Sequence, residues 1–290
     1  MSRRVVTVGN AMVDVVARVP HLPDRGGDVL ARGGGIEVGG GGFRAVVAAA
    51  VEGVPAVYAG RIGSGPFGAL VRAALDAHGI EVPLPAVPGM DTGHVLTMVE
   101  PDGERTFATV PGAESAAPAL EGLRWASGDH LHVHGYGLVA PGRAAAVVDA
   151  VVALPQDAVV LLDPGPFGAD APAEALARLL PRLDWWSGNE AEARAATGLG
   201  QPADAARLLA GTARRGAVVR LGAAGCLLAL RGAPVEHLPA PAVRAVDTNG
   251  AGDVHVGTFL ARLALQDDAR TAAIRANAAA AAHVARALPF

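Results

Sequence analysis

The sequence contains no lysine, and all 24 of its basic residues are arginines. This absence excludes a phosphate-binding loop of the GKS or GKT type, and it excludes an enzyme that forms a Schiff base through a lysine amine. If the protein binds phosphate, backbone N–H groups and arginine side chains must hold it.

Cysteine and long apolar runs are also rare. Cys226 is the one cysteine, so the chain cannot build an internal disulfide framework, which fits a reducing compartment. No uncharged apolar run approaches the length of a membrane span, and Gly9 and Asn10 interrupt the first apolar stretch too early for a signal peptide. We therefore expect a cytoplasmic protein with no membrane partner.

Charge and length restrict the class of protein further. The net charge of −4 and the pI near 6.1 argue against nucleic acid as a partner. A chain of 290 residues that is 51% hydrophobic is long enough for one large domain with a buried core. We predict a single domain over residues 1–290.

Two hydrophobic patterns divide this domain. Within residues 12–38 and 92–112 we expect the strands of a small separate sheet, with Asp102 and Gly103 as a hairpin turn. From about residue 130, buried strands alternate with Ala- and Leu-rich helical stretches, which predicts a mostly parallel sheet covered by helices. Ligands bind at the carboxyl ends of such strands. The residues predicted at those ends are Gly9, His134, Asp163, Gly222 and Asp247.

The stretch VDTNGAGDVHVGTFLARL, residues 246–263, predicts a strand end, a tight turn and a helix start. Gly250 and Gly252 allow close backbone approach to a ligand, and the first N–H groups of the helix have no partner inside it. With the helix dipole they form an anion site, beside which Asp253 is a candidate general base. The alternative is an ordinary helix cap by Asp247 or Asn249.

Three further stretches allow both a ligand-binding and a plain structural interpretation. EVGGGGFRAVVAAA, residues 37–50, is either a close approach to a ligand or a flexible loop before a helix. WWSGNEAEARAATG, residues 185–198, either places Asn189 and Glu192 on one helix face for a ligand or forms a cap with a solvated acidic first turn. VRLGAAGCLLAL, residues 219–230, predicts by itself only a hairpin.

Few other side chains suggest chemistry. Cys226 lies in an apolar strand and is interpreted as a small core residue. His132 and His134 have strand spacing beside Tyr136, but the sequence offers no cluster of further metal ligands. We interpret the two histidines as structural or substrate-lining.

In their order along the chain these stretches resemble the ribokinase-like (PfkB) carbohydrate kinase family. DTNGAGDVHVGTFL is similar to the C-terminal signature of that family, and GGGGFRAVVAAAVEGVPAVYAGRIGSGPFG resembles its N-terminal signature. The resemblance implies an α/β fold, in which a central, mostly parallel sheet is covered by helices and a small β-sheet lid lies over a sugar. It also implies ATP- and Mg²⁺-dependent phosphorylation of a hydroxymethyl group on a sugar or sugar-like substrate.

The resemblance also implies roles for individual residues. Asp253 would be the base that takes a proton from the substrate hydroxyl, and the backbone of Gly250, Ala251 and Gly252 would form the anion hole. Glu192 would hold Mg²⁺ through water. The positions implied for the nucleotide are Asn189, Gly222, Gly225 and Asn277. The positions implied for the substrate are Asp14, Met12, Gly39, Gly40, Arg44 and Tyr136.

The glycine stretch departs from the family at Gly41 and Arg44, where lysine and asparagine are common. Arginine is always charged and has no acceptor, so the second exchange is not conservative. Arg44 either meets an anionic group of an unusual substrate or points away from the pocket, and we expect the second. Met12 replaces a polar residue common in ribokinases, which favours a kinase for another sugar or a nucleoside.

The C-terminal end departs as well, because the chain stops at HVARALPF, where the family continues through a loop that completes a monovalent-cation site. Asp247 and Asn249 would supply part of that site, so potassium dependence is an open question. Lid pairing in the family makes a homodimer through the lid a further expectation.

The same residues leave three alternatives open. A nucleoside kinase would stack aromatic residues on a base, yet only 4% of the residues are aromatic. A sugar-phosphate kinase would need several arginines in the pocket, for which Arg44 and Arg105 are the candidates. A non-catalytic sugar or nucleotide binder would explain the altered glycine stretch, but it would have little use for Asp253 beside an anion hole.

Overall fold

A computed structural model describes residues 3–118, 120–139, 141–166 and 168–286, which form two β-sheets and eight α-helices. Six strands of the larger sheet pair in parallel, and two antiparallel strands extend one edge, which confirms the predicted mostly parallel sheet. In spatial order the strands are β12 (Val235–Leu238), β11 (Cys226–Leu230), β10 (Gly216–Arg220), β9 (Trp185–Asn189), β8 (Val159–Asp163), β7 (His130–His134), β1 (Val5–Val8) and β4 (Ala56–Tyr58).

Helices cover both faces of the larger sheet, and its central strands are buried on both sides. One face carries α3 (Pro141–Ala153), α4 (Ala173–Leu179), α5 (Glu190–Thr197) and α6 (Pro202–Thr212). The other face carries α1 (Gly41–Val51), α7 (Ala251–Ala264) and α8 (Ala269–Val284). Cys226 is fully buried in this second core, as predicted.

The smaller sheet has the order β3 (Gly33–Gly39), β2 (Met12–Arg18), β5 (His94–Val99) and β6 (Arg105–Val110). We call it the lid sheet. Asp102 and Gly103 form the predicted hairpin turn between β5 and β6, where Gly103 has a φ of 89°. A third apolar cluster joins the base of the lid sheet to α1, β4 and α2 (Pro66–Ala77).

The carboxyl ends of four parallel strands lie side by side at one edge of the larger sheet. His134 of β7 pairs in register with Asp163 of β8, and Asn189 of β9 pairs in register with Arg220 of β10. Each of these polar residues is the last one of its strand, so the sheet register itself brings their side chains to the same edge.

The prediction that Asp247 ends a strand is wrong. Residues 239–250 form no strand, and the N–H groups of Val246 and Asp247 bond to the carbonyl of Val284, near the end of α8. The chain therefore enters α7 from a loop that packs on α8. Among the described residues, no helix has the length and apolar character needed to cross a membrane.

Candidate active site

The N-terminus of α7 opens into a cavity of about 730 Å³ at this edge of the sheet. Gly250 is the N-cap, with a φ of 78° that glycine adopts without the cost that a Cβ would add. No side chain caps the helix, and Asp247 instead accepts a hydrogen bond from the N–H of Asn249 at 2.9 Å. The alternative interpretation of Asp247 or Asn249 as the N-cap is therefore wrong.

Asp253 lies in the first turn of α7 and faces the ends of β7 and β8. A ligating atom from each of His134, Asp163 and Asp253 lies within 4.8 Å of the other two. Gly41 makes this approach possible, since a Cβ there would lie 2.5 Å from Nε2 of His134 and 2.9 Å from Oδ1 of Asp253. Burial raises the pKa of Asp253, while His134 and Arg44 act in the opposite direction.

Arg220 extends from the end of β10 into the same cluster. Its Nη1 donates to Oγ of Ser187 at 3.0 Å, and its Nη2 lies 3.4 Å from Oδ1 of Asp163 and 3.3 Å from Oε2 of Glu192. Burial alone would raise the pKa of Asp163, but Arg220 and the neighbouring histidines hold it below its ordinary value. Arg220 therefore supplies the charge that keeps this buried carboxylate ionised.

Asn189 and Glu192 form a capping box at the start of α5. Oδ1 of Asn189 accepts from the N–H of Glu192 at 2.8 Å, and Oε2 of Glu192 accepts from the N–H of Asn189 at 2.7 Å. The cap interpretation is thus correct in geometry. Glu190 in the first turn is exposed, whereas the side chain of Glu192 is only 10% exposed. Burial raises the pKa of Glu192, and Arg220 partly offsets that effect.

Three residues that the sequence associates with a nucleotide line the far wall of the cavity, namely Gly222, Gly225 and Asn277. Gly225 has a φ of 95°, and a Cβ there would lie 2.1 Å from the carbonyl oxygen of Leu238. Nδ2 of Asn277 donates to that same carbonyl at 2.9 Å. The end of β12 is therefore held by Asn277 from the middle of α8 and packed against Gly225 in the turn before β11.

Arg44 points into the site, and the expectation that it points away is wrong. Its Nη2 lies 3.3 Å from Oδ2 of Asp14 on the lid sheet. A Cβ on Gly39 would lie 2.4 Å from Oδ2 of Asp14, and one on Gly250 would lie 2.3 Å from Cδ of Arg44. Glycines at positions 39 and 250 therefore leave the room that this ion pair occupies.

The remaining predicted substrate residues are Gly40 before α1, Met12 on the lid sheet and Tyr136 after β7. Gly40 has a φ of 95° and packs so closely that a Cβ would lie 2.7 Å from the carbonyl oxygen of Asn10. Met12 is 8% exposed and lies opposite Gly39 in the lid sheet. Tyr136 stacks on His134 with ring centroids 5.2 Å apart, and its N–H donates to Nδ1 of that histidine.

A second ion pair joins the lid sheet to the loop before α7. Nη2 of Arg105, on β6, lies 2.9 Å from Oδ1 of Asp247. The carbonyl of Asn249 lies 2.7 Å from Nε2 of His283 on α8. Two oxygen-bearing groups that the sequence associates with a monovalent cation are thus already engaged by side chains of the protein.

Sequence reasoning missed Arg220 and could not place Arg105. The signal for Arg220 was present, because an arginine ends a buried strand in a chain that has no lysine. His132 and His134 are both buried in β7, but only His134 lies with Asp163 and Asp253. Burial lowers the pKa of His132 to about 3. His132 is therefore structural, while His134 belongs to the site.

Comparisons with known proteins identify the family of the chain. The model of the pfkB family of carbohydrate kinases matches residues 2–288. The chain is 33% identical over 276 residues to the Escherichia coli K12 protein described as uncharacterized sugar kinase YegV, with 90% of this chain and 82% of that protein covered.

Solved structures agree in fold. Ribokinase of Arabidopsis thaliana, complexed with ribose and ATP, has a TM-score of 0.80 and 25% identity over 98% of this chain and 93% of its own. An Escherichia coli protein in complex with ATP and Mg²⁺ has a TM-score of 0.84 and 23% identity over 99% of this chain and 94% of its own. By sequence and by fold, the chain belongs to the pfkB family of carbohydrate kinases.

Proposed function

We propose that the protein transfers a phosphoryl group from ATP to a hydroxymethyl group of a sugar or sugar-like substrate. The observation that carries this proposal is the position of Asp253. Its carboxylate stands at an uncapped helix N-terminus, next to His134 and Asp163 and in the wall of the cavity. A carboxylate there has little use in binding an anion, but it is well placed to take a proton from an attacking hydroxyl.

The chemistry requires positioning and charge neutralisation more than covalent catalysis. As the hydroxyl oxygen attacks the γ-phosphorus, its proton passes to Asp253, while the N–H groups of Gly250, Ala251 and Gly252 face the developing negative charge. Burial raises the pKa of Asp253 and so makes it a stronger base than an exposed aspartate. A base in this position typically contributes about 10²–10⁴-fold.

The lining of the cavity supports a site for the nucleotide and for magnesium. Asn189, Gly222, Gly225 and Asn277, which the family resemblance associates with the nucleotide, all line the cavity. Glu192 and Asp163 offer carboxylate oxygens, the ligands that hydrated Mg²⁺ prefers. When bound, Mg²⁺ would neutralise charge on the phosphates, and Glu192 would hold it through water.

The charges around the predicted substrate residues favour a neutral polyol over a sugar acid or a sugar phosphate. Arg44 and Arg105 are each paired with a carboxylate, Asp14 and Asp247 respectively. Glu37 is half-buried near both arginines and adds a third negative charge. Three carboxylates against two guanidinium groups leave no excess positive charge for an anionic substrate.

The test is ADP release by the purified protein with ATP and Mg²⁺, over a panel of ketoses, aldoses, sugar acids and nucleosides. We expect turnover on one neutral class, reduced by about 10²–10⁴-fold in Asp253→Asn. Asp149→Asn, which removes an exposed carboxylate paired with Arg178, is the control and should match the wild type.

Two outcomes would contradict the proposal. If Asp253→Asn turned over at the wild-type rate, Asp253 would not be the base. If panel members bound and stabilised the protein but none was phosphorylated, the protein would be a non-catalytic binder.

A further inference from the structure

We propose that Arg220 is a further catalytic residue, whose guanidinium donates hydrogen bonds to the phosphoryl group during its transfer. This inference rests on the proposed function, because it assumes that a nucleotide phosphate lies at the N-terminus of α7. Arg220 would then act from the floor of the cavity, while the backbone of the helix start acts from its side.

The guanidinium already lies against the helix start. A Cβ on Gly252 would be 3.4 Å from Cζ, Nε and Nη2 of Arg220 alike. Gly252 therefore lies over the flat face of the guanidinium, which places Arg220 against the start of α7. Nη2 already donates to Asp163 and Glu192, so the N–H groups left for phosphate oxygens are that of Nε and the second one of Nη1.

The local charge balance favours a fixed cation at this position in addition to bound Mg²⁺. Asp163, Glu192 and Asp253 all line the cavity, and each would repel an incoming polyphosphate. Among the cavity-lining residues in the described part of the chain, Arg220 is the only arginine, and the sequence has no lysine. The backbone dipole at the start of α7 contributes only about half an elementary charge.

The contacts of Arg220 also prepare it for this role. Ser187, Asp163 and Glu192 come from three different elements and hold the guanidinium in place. Its side chain remains 12% exposed, which leaves a small area open to the cavity. A guanidinium fixed in this way needs little reorganisation when charge develops beside it.

The step balances without a further reactant. The bond from the acceptor oxygen to the γ-phosphorus forms as the bond from that phosphorus to the β–γ bridging oxygen breaks, and ADP leaves with the bonding electrons. The hydroxyl proton goes to Asp253. Arg220 keeps its protons throughout and donates hydrogen bonds to oxygens of the transferring group.

The first experiment compares steady-state kinetics of the wild type, Arg220→Ala and Arg220→Lys. We expect kcat to fall by about 10²–10³-fold in both variants, because lysine keeps the charge but has one nitrogen donor where arginine has three, while the acceptor KM changes less than about threefold. Arg215→Lys is the matched control, since Arg215 lies just before the other end of β10 and pairs with the buried Asp184 at 3.2 Å. Guanidinium chloride below its unfolding range should partly restore Arg220→Ala.

Binding gives a readout that is independent of turnover. We expect Arg220→Lys to bind ADP with fluoroaluminate at least about tenfold more weakly than the wild type, with unchanged affinity for adenosine, which has no phosphate. Melting temperatures identify a variant that fails to fold, in which case Arg220→Lys carries the test alone.

The outcomes separate this inference from the proposed function. If the wild type turns over and Arg220→Lys keeps a kcat within threefold of it, the inference is wrong and the kinase assignment stands. If the wild type turns over no substrate, the kinase assignment fails, and the comparison of ADP with adenosine still decides whether Arg220 binds phosphate. Equal losses of affinity for both ligands would show a purely structural role and overturn the inference.

Discussion

The two ends of the site are built differently. On the phosphate side, Asp163, Asn189 and Arg220 end neighbouring strands of one sheet, so their spacing is fixed by strand register. On the substrate side, the ion pairs of Arg44 with Asp14 and of Arg105 with Asp247 each join the lid sheet to the larger body. The strand register fixes the positions of the side chains on the phosphate side. The positions of the side chains on the substrate side depend on where the lid sheet lies.

This difference predicts how substitutions divide between the two ends. Changes on the phosphate side should act mainly on kcat, because they alter a preorganised group next to the reacting atoms. Changes on the substrate side should act mainly on the acceptor KM, because they alter how the lid sheet meets the body. Gly250 lies where the two ends meet, so its substitution should affect both.

Of the three substitutions that test this division, Gly250→Ala should have the largest effect. The residue has a φ of 78°, and a Cβ would lie 2.3 Å from Cδ of Arg44, so alanine would strain the helix start and displace the arginine. We expect kcat/KM to fall by about 10²-fold, as for an ångström-scale misplacement of reacting groups. Steady-state kinetics and thermal unfolding measure the two consequences.

The control for this substitution is Gly232→Ala. Gly232 has the same φ of 78°, but nothing lies within 4 Å of its Cβ position. Both variants should lose about 1–2 kcal/mol of stability from the left-handed backbone, and only Gly250→Ala should lose activity. Equal activities in the two variants would show that the structure at the start of α7 does not affect the substrate side.

A smaller effect is expected for Arg44→Gln. Burial raises the pKa of Asp14, and Arg44 opposes this by favouring the ionised carboxylate. Without the guanidinium, Asp14 would become protonated at a higher pH as the pH falls. We therefore expect the acceptor KM to rise about tenfold near neutral pH. The acid limb of kcat/KM should move to higher pH, which a pH series would show. An unmoved acid limb would mean that ionised Asp14 does not bind the substrate.

The smallest effect is expected for Arg105→Gln. Its pair with Asp247 is partly exposed, at 24% and 13% of the two side chains, and such pairs contribute about 0.2–1 kcal/mol. The acceptor KM should rise about two- to threefold, and the difference from the wild type should shrink at high salt. Arg178→Gln, at an exposed pair with Asp149, should change nothing. A fall in kcat at constant KM would contradict the division between the two ends.

The sequence was informative where local chemistry decides the structure. The glycines at positions 250 and 252 and Asp253 predicted the start of α7 with the correct residue in its first turn. The alternation of apolar strands and helices from residue 130 predicted the mostly parallel sheet, because strands buried on both faces are apolar throughout. The resemblance to the pfkB signatures predicted the family that the comparisons then showed.

The sequence was less informative where distant residues meet. Asp14 and Arg44 are thirty positions apart, and their contact depends on how the lid sheet sits on α1, so the direction of Arg44 was predicted wrongly. The loop before α7 looked like a strand because its apolar residues carry no sign that they pair with the end of α8.

By itself, then, the sequence determined which groups are available: a chain without lysine, a glycine-rich helix start, a carboxylate in its first turn and the family to which these belong. Only the tertiary structure decided which charges meet. Arg220 lies among Asp163, Ser187 and Glu192, up to 57 positions away, because parallel strands align their carboxyl ends at one edge. Electrostatic energy depends on distance in space, and the fold alone sets that distance.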